Sequence, residues 1–509
     1  MISADFEINC VGIVGAGAMG RGIAQIAAQA GLQVRLFDLA AAAVKAAQDN
    51  LAETLGKLAA KGKLTDAQVQ ETLARISGCG TLQELAGCDL VIEAVVEKLE
   101  VKRDLFKQLE AVVGDACILV SNTSSLSITA IAAVCAQPGR IAGYHFFNPV
   151  PLMKVVEVID GARTDATTGE ALTRLARRMG HTPVRAKDMP GFIVNHAGRG
   201  MNTEGLRVAQ EGVADFADID RVMREQAGFR LGPFELMDLT ALDVSHPVME
   251  SIYHQFYEEA RFRPSPITAQ RLAGGLLGRK TGEGFYVYRD GKQQVPPEAE
   301  ISGTLPSSVW ISPEIAGAHD ELVALAKAAG VTIESGAAPS ATALILVTPL
   351  GFDATHAAVT QGLEPTRTVA VDTLFPLAGA RRRTVMTTPA TLAAHRDAAR
   401  ALLAHDGVAV TAIRDSGGFI AQRIVASIVN IASEIAQQRI ASPQDIDLAV
   451  TLGLGYPQGP LALGDSLGAS RILTVLTNLT TLYSDPRYRP SLWLARRAAL
   501  GLSLLTEEN

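Results

Sequence analysis

Two groups of residues in this 509-residue chain have the types and spacing to do chemistry. His145 follows an apolar run, RIAGYHF, and Glu157 lies in the next apolar run, VVEVI, after a connection that contains proline. A histidine paired with a carboxylate can take a proton from a hydroxyl group while the carboxylate orients the ring and stabilises its cation. The second group is a turn in which Gly15, Gly17 and Gly20, with Ala18 and Met19 between the last two, separate the apolar run CVGIVG from the helical pattern MGRGIAQIAAQAG. In that setting Gly15 permits a tight turn, Gly17 lets the backbone approach a pyrophosphate, and Gly20 allows close packing of helix on strand, so that the helix N-terminus faces the phosphates. Asp38 closes the strand that follows, VRLFD. A carboxylate there accepts hydrogen bonds from ribose hydroxyls and repels a 2′-phosphate, which favours NAD over NADP.

These residues need a scaffold, and the pattern supplies one. Residues 10–37 read as a βαβ opening, helical periodicity runs through 40–75, and buried strands follow at DLVIEAV (89–95), CILVSN (117–122) and RIAGYHF (140–146). Strands alternating with helices over this length predict an α/β fold with a parallel, doubly wound sheet. At KDMPGFI, where Pro190 and Gly191 punctuate the chain, the strands stop, and 192–280 reads as helical. The Pro-, Ser- and Gly-rich stretch near 290–313 reads as a linker.

The chain also repeats itself. Shifting it by 227 residues aligns Ile118-Leu119-Val120 with Ile345-Leu346-Val347, Gly191-Phe192-Ile193 with Gly418-Phe419-Ile420, Asp218-Ile219-Asp220 with Asp445-Ile446-Asp447, and Gly232-Pro233 with Gly459-Pro460, without a gap. RFRPS (261–265) then matches RYRPS (487–491) after one deletion. The expected organisation is a nucleotide-binding domain (1–187), a helical domain (188–289), the linker (290–313), a truncated Rossmann-like pseudo-domain (314–410) with no room for an opening βαβ unit, and a second helical domain (411–509). The same offset puts Asp372 in the place of His145, Thr384 in that of Glu157, Gln422 in that of Asn195 and Gly351 in that of Ser124. None of these could repeat the chemistry, so the second copy is expected to keep packing positions and lack a working site.

In chain order, IEAVVEKLEVKRDLF, SNTSSL, HFFNPVPLMKVVEVI, DMPGFIVN, LGPFELMD and GRKTGEGFY closely resemble the NAD-dependent L-3-hydroxyacyl-CoA dehydrogenase family, over nearly all of residues 8–288. The resemblance implies a Rossmann sheet followed by an all-α domain and oxidation of an L-3-hydroxyacyl-CoA to the 3-oxoacyl-CoA. It makes His145 the general base and Glu157 its partner, with Ser124 and Asn195 holding the substrate oxygens. Cofactor contacts carry over to Glu97, Lys102, Ser124, Asn148 and Lys280. Thr54 and Lys61, seven residues apart and so on one helix face, take the coenzyme A contacts. His196 stands where the family usually has arginine. In single-copy members the helical domain pairs with that of another subunit, which implies either a homo-oligomer or a monomer whose second helical domain is the internal partner. The long, duplicated form resembles bacterial 3-hydroxyadipyl-CoA dehydrogenases of phenylacetate breakdown and some 3-hydroxybutyryl-CoA dehydrogenases. A dicarboxylic acyl chain would need a cation at its far end, for which Arg199 and Arg207 are candidates. The competing readings are a related sugar-acid dehydrogenase and a non-catalytic nucleotide-binding protein.

Composition sets the outer limits. With 48% hydrophobic residues the chain has the apolar material for several compact units, and its 46 basic against 53 acidic residues, net −7, give no global attraction for nucleic acid or anionic lipid. The five cysteines, Cys10, Cys79, Cys88, Cys117 and Cys135, have no CxxC spacing and read as thiols of a reducing cytoplasm, with no metal site expected. No run reaches the roughly 18 apolar residues of a membrane span, and a cytoplasmic enzyme is the expectation.

Overall fold

The computed structural model describes residue 3 and residues 5–508. The chain divides into two compact units. The first holds the chain up to His196 together with Gln438–Leu454, and the second holds Ala197–Gln437 together with the chain from Gly455.

The first unit is built on eight strands: β1 (Cys10–Val14), β2 (Gln33–Phe37), β3 (Ile76–Cys79), β4 (Leu90–Glu93), β5 (Ile118–Ser121), β6 (Ile141–Phe146), β7 (Val155–Asp160) and β8 (Thr182–Lys187). Their order across the sheet is β3-β2-β1-β4-β5-β6-β7-β8. All neighbours are parallel except β6 and β7. β4 and β5, LVIE and ILVS, are buried along their whole length, as strands covered by helices on both faces must be. One face packs Ile13, Leu36, Ile92 and Val120 against helices, and the other packs Val91, Leu119 and Phe106. The strand order reverses between β1 and β4, and in such sheets ligands bind in the crevice at that point, outside the carboxyl ends of the strands.

The second unit contains a small hairpin, β9 (Val287–Arg289) and β10 (Lys292–Gln294), and a second sheet. That sheet runs β12-β11-β13-β14-β15-β16, from β11 (Ser308–Ile311), β12 (Thr332–Glu334), β13 (Leu344–Val347), β14 (Thr368–Val371), β15 (Arg382–Thr387) and β16 (Ala409–Ile413). β13 to β16 stand 227 residues after β5 to β8 and repeat their pairing, including the antiparallel step at β14–β15. Two expectations change here. The stretch 290–313 is not a plain linker, because the buried run Val309-Trp310-Ile311 pairs as a central strand despite its Pro- and Ser-rich surroundings. A short βαβ unit also precedes β13, with helix Ala316–Ala328 joining β11 to its parallel neighbour β12. Its strand-to-helix turn is Ser312-Pro313-Glu314-Ile315, which contains no glycine where the first copy has Gly15 and Gly17.

Within the second unit, helix Arg199–Gln210 packs on its counterpart Ile420–Gln437. The approach is close enough that a Cβ on Gly200 would meet the Ile428 Cα at 2.8 Å. Arg423, fully buried, donates to Glu204 at 2.8 Å and to the Tyr488 hydroxyl at 2.9 Å, and Arg487 donates to Glu204 at 3.3 Å. Each sheet is finished by the other copy's chain: Lys187 N–H donates to the Ile440 carbonyl at 2.8 Å in the first unit, and Arg414 N–H donates to the Val213 carbonyl at 3.1 Å in the second. Residues 438–454, read from the sequence as part of the second helical domain, therefore lie with the first sheet.

Candidate active site

The Gly-rich turn has the geometry its residue types demand. Gly15 has φ of 108°, a conformation that disfavours a side chain, and a Cβ on Gly20 would lie 1.8 Å from the Gly15 carbonyl oxygen. A Cβ on Gly17 would meet nothing within 4 Å, so the space over the turn is open. Helix Ala18–Gln29 begins there with no side-chain cap and no acidic residue in its first turn, leaving its first N–H groups for an anion. Asp38 accepts from Ala16 N–H at 2.8 Å and from Ala40 N–H at 3.0 Å, which fixes the carboxylate against the turn while leaving lone pairs for ribose hydroxyls. The open cradle, the uncapped helix and the fixed carboxylate fit a dinucleotide.

β6 and β7 place His145 and Glu157. His145 and Glu157 are direct partners in the antiparallel register, so both side chains leave the same face of the sheet. His145 Nδ1 stands 2.6 Å from Glu157 Oε2, and both groups are buried. The other carboxylate oxygen, Oε1, accepts from the N–H groups of Ile193 and Val194, each at 2.9 Å. Glu157 thus touches the ring through one carboxylate oxygen and the backbone through the other. The imidazole packs beside Phe147 and Phe192, with ring centroids 4.4 and 6.0 Å away.

The same chain of contacts reaches two more expected residues. Asn195, next after Val194, donates from Nδ2 to the Ser124 carbonyl at 3.3 Å. Ser124 N–H donates in turn to Glu97 at 3.1 Å, and Glu97 also accepts from the Thr123 and Ser125 hydroxyls. Burial works to raise the Glu97 pKa, but Lys102 at 3.2 Å and the hydroxyl donors outweigh it and hold the carboxyl below its ordinary value. Lys102 itself is 1% exposed and sits between Glu93 at 2.6 Å and Glu97. Its ammonium faces those carboxylates, so it acts on the site through Glu97.

Glu93 and Asp188 are site-building residues that sequence reasoning did not single out. Glu93 ends β4 and accepts from Lys102, Ser121 and Val95. Asp188 receives Ser127, Ile128 and Thr129 at the start of a short helix. A carboxylate at the end of an otherwise apolar strand, as in LVIE, was the available signal for the first. For the second the signal was the repeat, since Asp188 stands 227 residues before Asp415, which accepts from Ala354 N–H and the Thr355 hydroxyl in the same way.

The remaining expected residues are not drawn into this cluster. Asn148 is exposed, just past β6. Thr54 and Lys61 are exposed on the helix Ala41–Ala60 and at its C-cap. Lys280 lies in the second unit, where it pairs with Asp243. Of the two arginines considered for an acyl carboxylate, Arg207 is engaged by Glu211 at 2.6 Å and Asp485 at 3.4 Å, and Arg199 is buried, with desolvation lowering its pKa to about 10. Neither is presented as an exposed cation. His196 is also buried.

The counterpart positions in the second copy form a closed polar knot. Asp372 accepts from Gln422 Nε2 and Gln226 Nε2, both at 2.9 Å, and from Leu374 N–H at 3.0 Å, while Gln422 Oε1 accepts from Gly351 N–H at 2.8 Å. Burial raises the Asp372 pKa. At these described positions there is no histidine, and the Asp372 carboxylate is taken up by its internal partners.

Among the described residues no helix is long and apolar enough to cross a membrane, and no cluster of His, Cys, Asp or Glu could hold a metal ion. The cysteines are free thiols, four buried and Cys10 partly exposed.

Residues 10–189 match the NAD binding domain of 3-hydroxyacyl-CoA dehydrogenase, and the C-terminal domain of the same enzyme matches twice, over 191–288 and 418–504. A 3-hydroxyadipyl-CoA dehydrogenase of Escherichia coli K12 is 38% identical over 97% of this chain and 98% of its own length. A probable 3-hydroxybutyryl-CoA dehydrogenase of Deinococcus radiodurans is 44% identical over 54% of the chain and 99% of its own. The crystal structure of a 3-hydroxybutyryl-CoA dehydrogenase from E. coli K12 superposes with a TM-score of 0.86 at 37% identity, covering 97% of this chain and 99% of that one. The chain, an NAD-binding oxidoreductase of duplicated arrangement, belongs to the 3-hydroxyacyl-CoA dehydrogenase family.

Proposed function

We propose that this dehydrogenase takes the proton of the C3 hydroxyl onto His145, with Glu157 as the orienting carboxylate, and that its preferred substrate is 3-hydroxyadipyl-CoA. The observation that carries the mechanism is the 2.6 Å contact between His145 Nδ1 and Glu157 Oε2. It occupies one ring nitrogen and leaves Nε2 for the substrate hydroxyl. Glu157 is itself fixed by two backbone N–H groups, so the imidazolium formed on proton transfer meets a negative charge already in place and needs no reorganisation. NAD, when bound, supplies the acceptor for the hydride that leaves C3. The Gly15–Gly20 turn, Asp38 and the Glu97 network would hold it, with Asn148 as a further contact. Ser124 and Asn195 would position the substrate oxygens, and Thr54 and Lys61 the coenzyme A portion.

The dicarboxylic acyl group is supported by full-length similarity to the E. coli 3-hydroxyadipyl-CoA dehydrogenase. A second reading, 3-hydroxybutyryl-CoA, is favoured by the equally extensive structural similarity to the E. coli 3-hydroxybutyryl-CoA dehydrogenase. Measuring kcat/KM for both thioesters decides between them. A preference of about tenfold or more for 3-hydroxyadipyl-CoA, the effect of about 1.4 kcal/mol of added recognition, supports the first reading, and equal or reversed values support the second.

The second helical module would act in cis as the partner surface that, by the family resemblance, a single-copy member takes from another subunit. Packing of Arg199–Gln210 on Ile420–Gln437 supports this reading. A solution mass of 53.6 kDa would agree with it, and an obligate dimer would not.

A further inference from the structure

Helix Pro443–Leu454 comes from the C-terminal copy, yet it lies in the first unit against β7 and β8. Besides the Ile440–Lys187 hydrogen bond, Asp445 accepts from Arg185 N–H at 3.3 Å. In its last turn, Gly453 faces Val194. A Cβ there would stand 3.0 and 3.1 Å from the two Val194 methyls and 3.7 Å from a methyl of Val155, on β7. Val194 is 1% exposed, and its N–H is one of the two that hold Glu157 Oε1.

The second copy contains the same arrangement with a different residue. Gln226 stands 227 positions before Gly453, at the end of the corresponding helical segment. In the second unit its Nε2 donates to Asp372 at 2.9 Å and its Oε1 accepts from the Thr384 hydroxyl at 2.5 Å. Asp372 and Thr384 are the counterparts of His145 and Glu157. One helix position thus faces the pair of the opposite copy, directly through Gln226 in the second unit and by way of Val194 in the first. Where the pair is degenerate a side chain fills the gap and bonds to both members. Where the pair is intact there is no side chain.

We infer that Gly453 is a positioning residue for the reaction: by presenting bare backbone it lets Val194 sit where its amide holds Glu157, so the degenerate copy completes the active site of the equipped one. The inference rests on the assignment of His145 and Glu157 as the acid–base pair. A Cβ at 453 must push Val194 by a few tenths of an ångström, and displacements of this kind are transmitted to the carboxylate through the 2.9 Å amide contact. The interior is close-packed, so the strain has little other outlet.

The test uses full-length Gly453→Ala, Val194→Ala, the double variant, and Leu448→Ala on an exposed position of the same helix. The readouts are kcat and KM with L-3-hydroxybutyryl-CoA, NAD affinity by fluorescence titration, and melting temperature. Gly453→Ala should lower kcat about three- to thirtyfold, given that a displacement of about 1 Å costs on the order of 10²-fold, with KM and NAD affinity within about twofold of wild type. The double variant, with the methyls removed, should return to the kcat of Val194→Ala, and Leu448→Ala should match wild type. If Gly453→Ala does not fold, the double variant decides alone, because a folded double variant with kcat far below Val194→Ala overturns the inference. Wild-type turnover by Gly453→Ala, an equal loss in Leu448→Ala, or simple multiplication of losses in the double variant also overturns it. His145→Gln run in parallel separates the two levels: if it retains full turnover the acid–base assignment has failed, and if it is impaired while Gly453→Ala is not, only the role of Gly453 has failed.

Discussion

Glu157 and His145 face each other across adjacent antiparallel strands, and the carboxylate is gripped on one side by two backbone amides and on the other by the ring. On the proposed roles, that arrangement leaves Nε2 as the nitrogen that takes the substrate proton. In Glu157→Gln the new amide can keep its oxygen on the Ile193 and Val194 N–H groups only by turning an N–H toward Nδ1. The ring must then accept at Nδ1 and carry its proton on Nε2, where it cannot act as a base. Turnover should fall by about 10²- to 10⁴-fold with NAD affinity unchanged, measured by steady-state kinetics and fluorescence titration. A loss confined to KM would contradict this account.

Asp38 holds the turn through Ala16 N–H and carries the negative charge expected to meet the adenosine ribose. Asp38→Asn keeps an acceptor for Ala16 but removes the charge. Charge-assisted hydrogen bonds contribute about 1.5–3 kcal/mol, so kcat/KM for NAD should fall roughly ten- to hundredfold while that for NADP rises. Unchanged selectivity would place the adenosine elsewhere.

Much of this was legible in the sequence, for a physical reason. The glycine turn, the strand period around His145 and Glu157 and the 227-residue offset are local or periodic features that appear directly in residue order. What stayed hidden depends on contacts between distant parts of the chain. Lys102 reads as one end of a helical ion pair, and only the fold buries it between Glu93 and Glu97. Arg207 reads as an available cation until Asp485, far along the chain, is brought beside it. The strand Val309–Ile311 is masked by prolines and serines until β13 pairs with it. No local pattern says that residues 438–454 leave their own copy to finish the other sheet.

Asp220, the aspartate that closes DID in the first copy, is buried beneath Phe234 N–H, Glu235 N–H and the Tyr286 hydroxyl, and burial pushes its pKa up to about 8. An acid whose folded-state pKa is raised binds its proton more tightly folded than unfolded. Its contribution is therefore complete below about pH 4, the unfolded value, and is lost as pH rises through about 8. The melting temperature should fall from pH 5 to pH 8 more steeply in wild type than in Asp220→Asn. Parallel curves would show that Asp220 does not titrate in this range.

Arg423, from the second copy, neutralises Glu204, from the first, in the buried core of the second unit. Arg423→Met leaves Glu204 with Arg487, at 3.3 Å, as its nearest cation among the described residues. Removing one member of a buried ionic network costs about 3–5 kcal/mol, so chemical denaturation should show a loss of that order, with the NAD-binding unit retaining its affinity for cofactor. A loss below about 1 kcal/mol would mean that the pairing of the two helical modules does not depend on this network.

The central claim is that a single imidazole, His145, takes the substrate proton. The most direct measurement is the single-turnover rate of His145→Gln with saturating NAD and L-3-hydroxybutyryl-CoA, alongside the NAD dissociation constant. Normal NAD binding and a rate reduced by about 10²- to 10⁴-fold are expected. A wild-type rate, or a reduction that disappears when NAD is raised further, would contradict it.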